Sequence, residues 1–247
     1  TLLRNTGLIE KLAGPTSTIQ LPFAQDGQLR ATGGDLALSG QTISTGAWQA
    51  GAGRTFVLQG TTQLEVGTTL RGNGLYRNFG TLTVNGPIPV DFFHLADGQI
   101  NGPGRLQIDR GMTWDSGSLS NGGGVLDVGP NATLTIQSPP AKNISDHQIR
   151  NLGSVTWSGG NLVTVSGTLI DNQSIWDSRS DAELVYAGGA GTLFSNAGIF
   201  SKSAGIDATS INMPFTNTGV VMAHVGTIRF GSPTTNTSLF IAEDGAA

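Results

Sequence analysis

The sequence predicts an all-β protein wound as a parallel β-helix, a β-solenoid of about 21 residues per coil. Three observations predict it. The composition is rich in turn residues and poor in helix formers. One residue type returns at a fixed phase along the chain. The opening of the chain also recurs near its end.

Composition comes first. Charged residues make up 12% of the 247, where about a quarter is usual, and the 37 glycines are about twice the usual share. Ser, Thr, Asn and Gln fill the gap, and no long run of Ala, Glu, Lys and Leu is present. The hydrophobic 37% suffices for a core of Leu, Ile and Val, with aromatics at only 6%.

The phase is clearest in an Asn-x-Gly signature. It occurs as RNTGLIE, RNFGTLTV, RNLGSVTW, SNAGIF and TNTGVVM, starting at residues 4, 77, 150, 195 and 216. Asn172, in DNQSIWD, holds the same place without the glycine. Asn151, Asn172, Asn196 and Asn217 are separated by about 21, 24 and 21 residues. Each corner launches a short alternating or apolar stretch such as Thr81–Val84 or Thr133–Ile136, which reads as a strand leaving a turn. Trp48, Trp114, Trp157 and Trp176 are spaced by about 66, 43 and 19 residues, near three, two and one multiples of the same period.

A sandwich or a barrel also strings short strands between Gly/Asn turns, but neither requires a constant phase. In a solenoid each coil lies about 4.8 Å above the last, so equal phases stack. Asn151, Asn172, Asn196 and Asn217 are then expected as a corner ladder of side-chain amides on left-handed backbone, with glycine meeting the same backbone demand. Roughly eleven coils and a rod on the order of 50 Å follow. Residues 86–111 and 138–148 carry prolines and interrupt the pattern, and are expected as loops or bulged corners.

The longer repeat comes last. TLLRNTGLIEKLAG at residues 1–14 returns as TLFSNAGIFSKSAG at residues 192–205, pairing Asn5 with Asn196 and Lys11 with Lys202. The match continues through Phe23 and Phe215, with about 15 identities in some 55 aligned positions. The chain is therefore expected as one solenoid domain, 1–247. Within it, 1–191 forms one long unit and 192–247 begins a second copy.

Function classes narrow next. Net charge is −4 and the 13 basic residues are scattered singly, which argues against nucleic-acid binding. Cysteine is absent, which removes disulfides and thiolate metal sites. No apolar run approaches the roughly 18 residues of a membrane helix, so no membrane insertion is expected. The chain opens at Thr1 without an initiator Met or signal peptide and reads as a processed or excised start.

Chemical motifs are sparse. No phosphate-binding glycine loop, HExxH or GxSxG elbow occurs. NGGGVLDVG at residues 121–129 resembles a calcium-binding nonapeptide turn but occurs once, and reads as a glycine corner. His94, His147 and His224 lack spaced companions, so no metal or other cofactor is expected. Asp115 and Asp177 each follow a phased tryptophan but would lie about three coils, roughly 14 Å, apart, too far for a glycosidase pair.

Asp109 and Arg110, beside Trp114 and Asp115, form the best polar cluster and a candidate glycan contact. The four tryptophans read as core or corner packing, with a sugar-stacking stripe as the alternative. No catalytic residue is nominated. The unpaired strands at both ends of a solenoid invite end-to-end self-association.

The pattern [F/L]xNxGx[I/V/L], followed by strands such as GTLTVNG (80–86) or GGDLALSG (33–40), resembles the repeats of very large bacterial β-helix surface proteins. These are the filamentous-haemagglutinin-like adhesins and autotransporter passengers. The resemblance implies a right-handed, exported, extracellular or cell-surface β-helix with a structural or adhesive role, and glycans or proteins of a surface or matrix as partners. It carries over no catalytic residue. A carbohydrate-binding or polysaccharide-cleaving β-helix, centred on Trp114 and Asp115, and a self-assembling filament subunit are the competing readings.

Overall fold

The computed structural model describes residues 1–247. Its 32 strands and no helix form a single parallel ladder. Strands stacked about 20 residues apart make a β-solenoid of about 12 turns. Each turn has three faces. The first begins with Leu3–Asn5, which pairs with Phe23–Gln25 and then Thr42–Ser44. The second begins with Leu8–Lys11, followed by Gln28–Ala31 and Ala47–Ala50. The third begins with Ser17–Ile19, followed by Leu36–Leu38 and Thr55–Leu58.

Most strands are short because they cross one face only. Thr81–Val84 shows the rule, with Leu82 and Val84 buried and the threonines half-buried. Side chains alternate across a strand, so every second residue enters the interior. Stacking then lines up like with like. On the third face Leu134, Val155, Trp176, Phe200 and Val221 are successive partners. The interior is one cluster of 43 buried residues. Each fully buried Leu, Ile or Phe in it is worth on the order of 1.5–3 kcal/mol. Near the C-terminal end the core is aromatic, with ring centroids of Trp176–Phe194, Phe194–Phe215 and Phe215–Phe230 at 5.3, 5.2 and 4.8 Å.

The proline-bearing segments depart from expectation. Residues 86–111 do not form a loop. Pro87–Leu95 and Arg105–Trp114 are continuous strands that turn the corner between the second and third faces with a shift of register between Val90 and Phe92, so the expected loop is absent and the expected bulged corner is present. Pro87 and Pro89 each face a partner strand and still sit within the ladder. In the other segment only Ser138–Ala141 is a widened corner, and Lys142–Asn151 is a strand that spans two faces.

The restart at residue 192 is rotated. Leu3–Asn5 lies on the first face, whereas its sequence counterpart Leu193–Asn196 pairs with Leu169–Asn172 on the second. Leu8–Lys11 and Ile199–Lys202 are offset in the same way, second face against third. All three faces share one inward–outward alternation, so one sequence segment fits any of them. What recurs is a corner. Lys11 Nζ donates to the Ala13 carbonyl at 2.6 Å and Lys202 Nζ to the Ala204 carbonyl at 3.0 Å. The glycine that follows is left-handed in both, φ 84° at Gly14 and 86° at Gly205, which explains the recurring Lys-x-Ala-Gly.

Candidate functional site

The corner between the second and third faces carries the asparagines. Asn151 Nδ2 donates to Asn172 Oδ1 at 2.7 Å, Asn172 to Asn196 at 2.6 Å and Asn196 to Asn217 at 2.7 Å. Asn236 extends the series from Asn217 at 2.8 Å, a member the sequence reading omitted. Each amide has further partners. Asn151 Nδ2 also reaches the Ile175 carbonyl, and its Oδ1 accepts from the Gly153 N–H at 3.0 Å. The four buried members, Asn151, Asn172, Asn196 and Asn217, are thus satisfied by their own kind and by backbone, and Asn236 is exposed at the end of the ladder.

The physical reason for the signature differs from the expected one. The non-glycine residues with positive φ are Asn121, Ser138 and Asp146, so the ladder asparagines do not use left-handed backbone. Gly198 and Gly219 do not either. They are glycines because a Cβ would stand 2.0 Å from the Ser174 carbonyl oxygen and 2.1 Å from that of Gly198. The corner needs glycine for close approach of the coil below. The same signature serves the other corners too. Asn5, between the first and second faces, donates to Gln25 Oε1 at 2.6 Å, and Asn78 turns the chain from third face to first.

The candidate glycan-contact residues divide between two corners. Asp109 and Arg110 lie where Arg105–Trp114 bends from the second face to the third, whereas Asp115 follows that strand at the next corner. The adjacency in sequence therefore does not make one cluster. Trp114 is fully buried, with its indole N–H donated to the Ser116 carbonyl at 3.1 Å. Trp48, Trp157 and Trp176 are buried as well, at 0–1% exposure, so no indole face is open to a sugar. Trp48 moreover sits on the second face and the other three on the third.

Asp115 joins three coils. Its Oδ2 meets His94 Nε2 at 2.7 Å, and its Oδ1 accepts from Gln137 Nε2 and Ser138 Oγ, both at 3.1 Å. Partial burial works to raise the Asp115 pKa, but these hydrogen bonds outweigh it and hold the carboxyl below its ordinary value. Ser138, at φ 71°, turns its carbonyl to Lys142 Nζ at 2.8 Å. Lys142 is fully buried and reaches the Pro140 and Gly159 carbonyls as well. Burial lowers its pKa to about 8, against the opposing pull of Asp115.

Asp109 joins coils in the same manner. Arg71 is salt-bridged to Asp109 and, at 2.9 Å, to Asp91, whose Oδ2 also accepts the Gly72 N–H at 2.8 Å. Arg110 donates to Asn73 Oδ1 at 2.7 Å. Higher up, Asp127 takes Arg105 from one side at 2.9 Å and Arg150 from the other at 2.8 Å. Asp177 accepts from Ser201, Ser203 and Arg179. Its strand neighbours run back through Thr156 and Thr135 to Thr113, a column that does not contain Asp115.

The histidines stay apart: His94 on Asp115, His224 on Glu243, and His147 buried with both ring nitrogens unpartnered. No group of three or more His, Cys, Asp or Glu side chains is arranged to hold a metal ion. Sequence reasoning did not single out Lys142 and did not foresee the burial of Lys202 or His147, because burial of a lone cation or imidazole leaves no periodic trace. No family model, curated protein or solved structure matches the chain.

Proposed function

We propose that the chain is a non-catalytic structural or adhesive segment of a long, repetitive extracellular or cell-surface protein, working as a rigid spacer. One observation carries this reading: its carboxylates are occupied as staples between coils. Asp115, Asp91, Asp109, Asp127 and Asp177 each bind residues one or two coils away, with their oxygens committed to Arg, His, Ser or Gln donors. A carboxylate engaged in this way holds height and register. General acid or base work requires a carboxyl within reach of substrate.

The rotated restart supports the same reading. A unit that advances by whole coils plus one face continues the solenoid when repeated, because the faces are interchangeable. The apolar residues at the ends, Leu2, Leu8 and Leu12 on the first coil and Leu239 and Phe240 on the last, would serve coil-on-coil continuation or end-to-end association.

Joining residues 1–191 in front of the full chain tests the spacer directly. Small-angle scattering should show one rod longer by about 45 Å, at about 4.8 Å per coil. Two separately tumbling bodies, or no added length, would overturn the reading. So would release of reducing ends from any polysaccharide that stops on Asp115→Ala.

A further inference from the structure

The corner between the second and third faces changes width along the rod. In the third coil it is a long bend, Gly51–Arg54, and in the fourth it shortens to Asn73 and Gly74. In the fifth it shrinks to a bulge between Val90 and Phe92 within the strand Pro87–Leu95. The long bend therefore overhangs a step. Beneath it lies a hollow of about 370 Å³ lined by Gly53, Arg54, Thr55, Asn73, Gly74, Leu75 and Phe92. Gly74 lets the short bend pack close against the long one, since a Cβ there would stand 2.2 Å from the Gly51 carbonyl oxygen.

Its chemistry is specific. Phe92 and Leu75 supply an apolar floor, and the Arg110 guanidinium lies over the Phe92 ring at 5.6 Å while donating to Asn73 Oδ1. Nearby carboxylates are already engaged. Asp91 and Asp109 hold Arg71, and Asp35 accepts the Thr55 N–H at 2.9 Å. Arg54 makes no ion pair, and its Nε is buried without a hydrogen-bond partner. A free guanidinium thus borders an aromatic floor, and Asn73, held by Arg110, lines the same hollow.

We propose that this hollow binds a carboxylate-bearing sugar, one uronate residue of an oligosaccharide. The ring's apolar face lies on Phe92, the carboxylate meets Arg54, and a hydroxyl meets Asn73. An extended acidic peptide fits less well. Peptides dock by adding to a free strand edge, and the strands here, Thr55–Leu58 and Leu75–Asn78, are already paired on both sides. The site does not rest on the spacer reading, because the rod has the same length with or without it.

Calorimetric titration of the intact chain tests the site with oligogalacturonate and oligomannuronate, their methyl esters, and polyglutamate. At least one uronate oligomer should saturate the chain, its methyl ester binding at least tenfold more weakly. Arg54→Ala and Phe92→Leu should each cost about tenfold, equivalent to about 1.4 kcal/mol, and Arg229→Ala, at a remote exposed arginine, nothing. Phe92→Leu keeps the apolar floor and removes the ring, so it reports even if Arg54→Ala unfolds. Absence of saturation by both uronates, equal affinity for the methyl ester or for polyglutamate, or unchanged binding by Phe92→Leu would overturn the proposal.

Discussion

Two neighbouring columns on the same strands solve the stacking problem in opposite ways. The ladder column repeats one residue, Asn151, Asn172, Asn196, Asn217 and Asn236. The column one residue before it reads Gln107, Asp127, Arg150, Asp171 and Ser195. An amide carries both donor and acceptor, so identical copies at strand spacing satisfy one another. Like charges at that spacing repel, so charged positions must alternate in sign or be diluted by polar residues. Lower on the same face, Glu10, Arg30, Gln49 and Arg71 follow the same rule. Self-complementary side chains thus repeat along the axis, and charged ones take turns.

The largest expected effect breaks the repeating column. Asn172→Ala leaves Asn151 Nδ2 and Asn196 Oδ1 buried without their partner, and should cost about 3 to 4 kcal/mol. Urea unfolding followed by circular dichroism would show it, and a loss below about 1 kcal/mol would mean that water replaces the amide.

His147 sharpens the comparison as a third case on strand Lys142–Asn151: a buried polar group with neither a twin nor an opposite charge bonded to it. Burial lowers its pKa to about 4, partly opposed by Asp146. The unfolded chain, with a histidine near 6.5, binds more protons than the folded one between those values. Stability is then full above about pH 6.5, falls by up to about 3 kcal/mol as pH drops to 4, and flattens below. His147→Phe should remove that acid slope; an unaltered slope would assign it elsewhere.

Gly198→Ala tests the close approach that accompanies the ladder. It forces a Cβ toward the Ser174 carbonyl and should cost about 2 kcal/mol through overpacking. The alternating column should respond least. Arg150→Ala removes two hydrogen bonds to Asp127, but Arg105 still pairs with that carboxylate, so about 1 kcal/mol is expected. Arg4→Ala, at an exposed pair with Asp26, should change the free energy of urea unfolding by less than about 0.5 kcal/mol.

This contrast also explains what was legible in the sequence. The coil, its period and the four asparagines could be read because the same residue returns at the same phase. At the corner around Arg71, Asp91, Asp109 and Arg110 only the last two stood out, and their partners did not, because alternation in sign and changing bend width leave no periodic mark. Residues 86–111 looked like a loop for a related reason. Strands that run through a corner, such as Pro87–Leu95, need no Asn or Gly to turn it. Only Trp114 and Trp157 share a column, two coils apart; Trp176 lies two residues out of it and Trp48 on another face, so the even tryptophan spacing reported buried positions in the core and not one stacked phase. The rotation of the restart was hidden because sequence similarity records a corner and its flanking strands, not the face on which they lie.

The most direct test compares adjacent residues, one from each column, in a single urea series. Asn196→Asp puts an acceptor-only carboxylate where the Asn172 ladder must continue to Asn217. Ser195→Arg places a cation beside Asp171 and extends the alternation. The account predicts that the first lowers stability by about 3 kcal/mol or more, and that the second leaves it unchanged or raises it by up to about 0.5 kcal/mol. Equal effects from the two substitutions would contradict it.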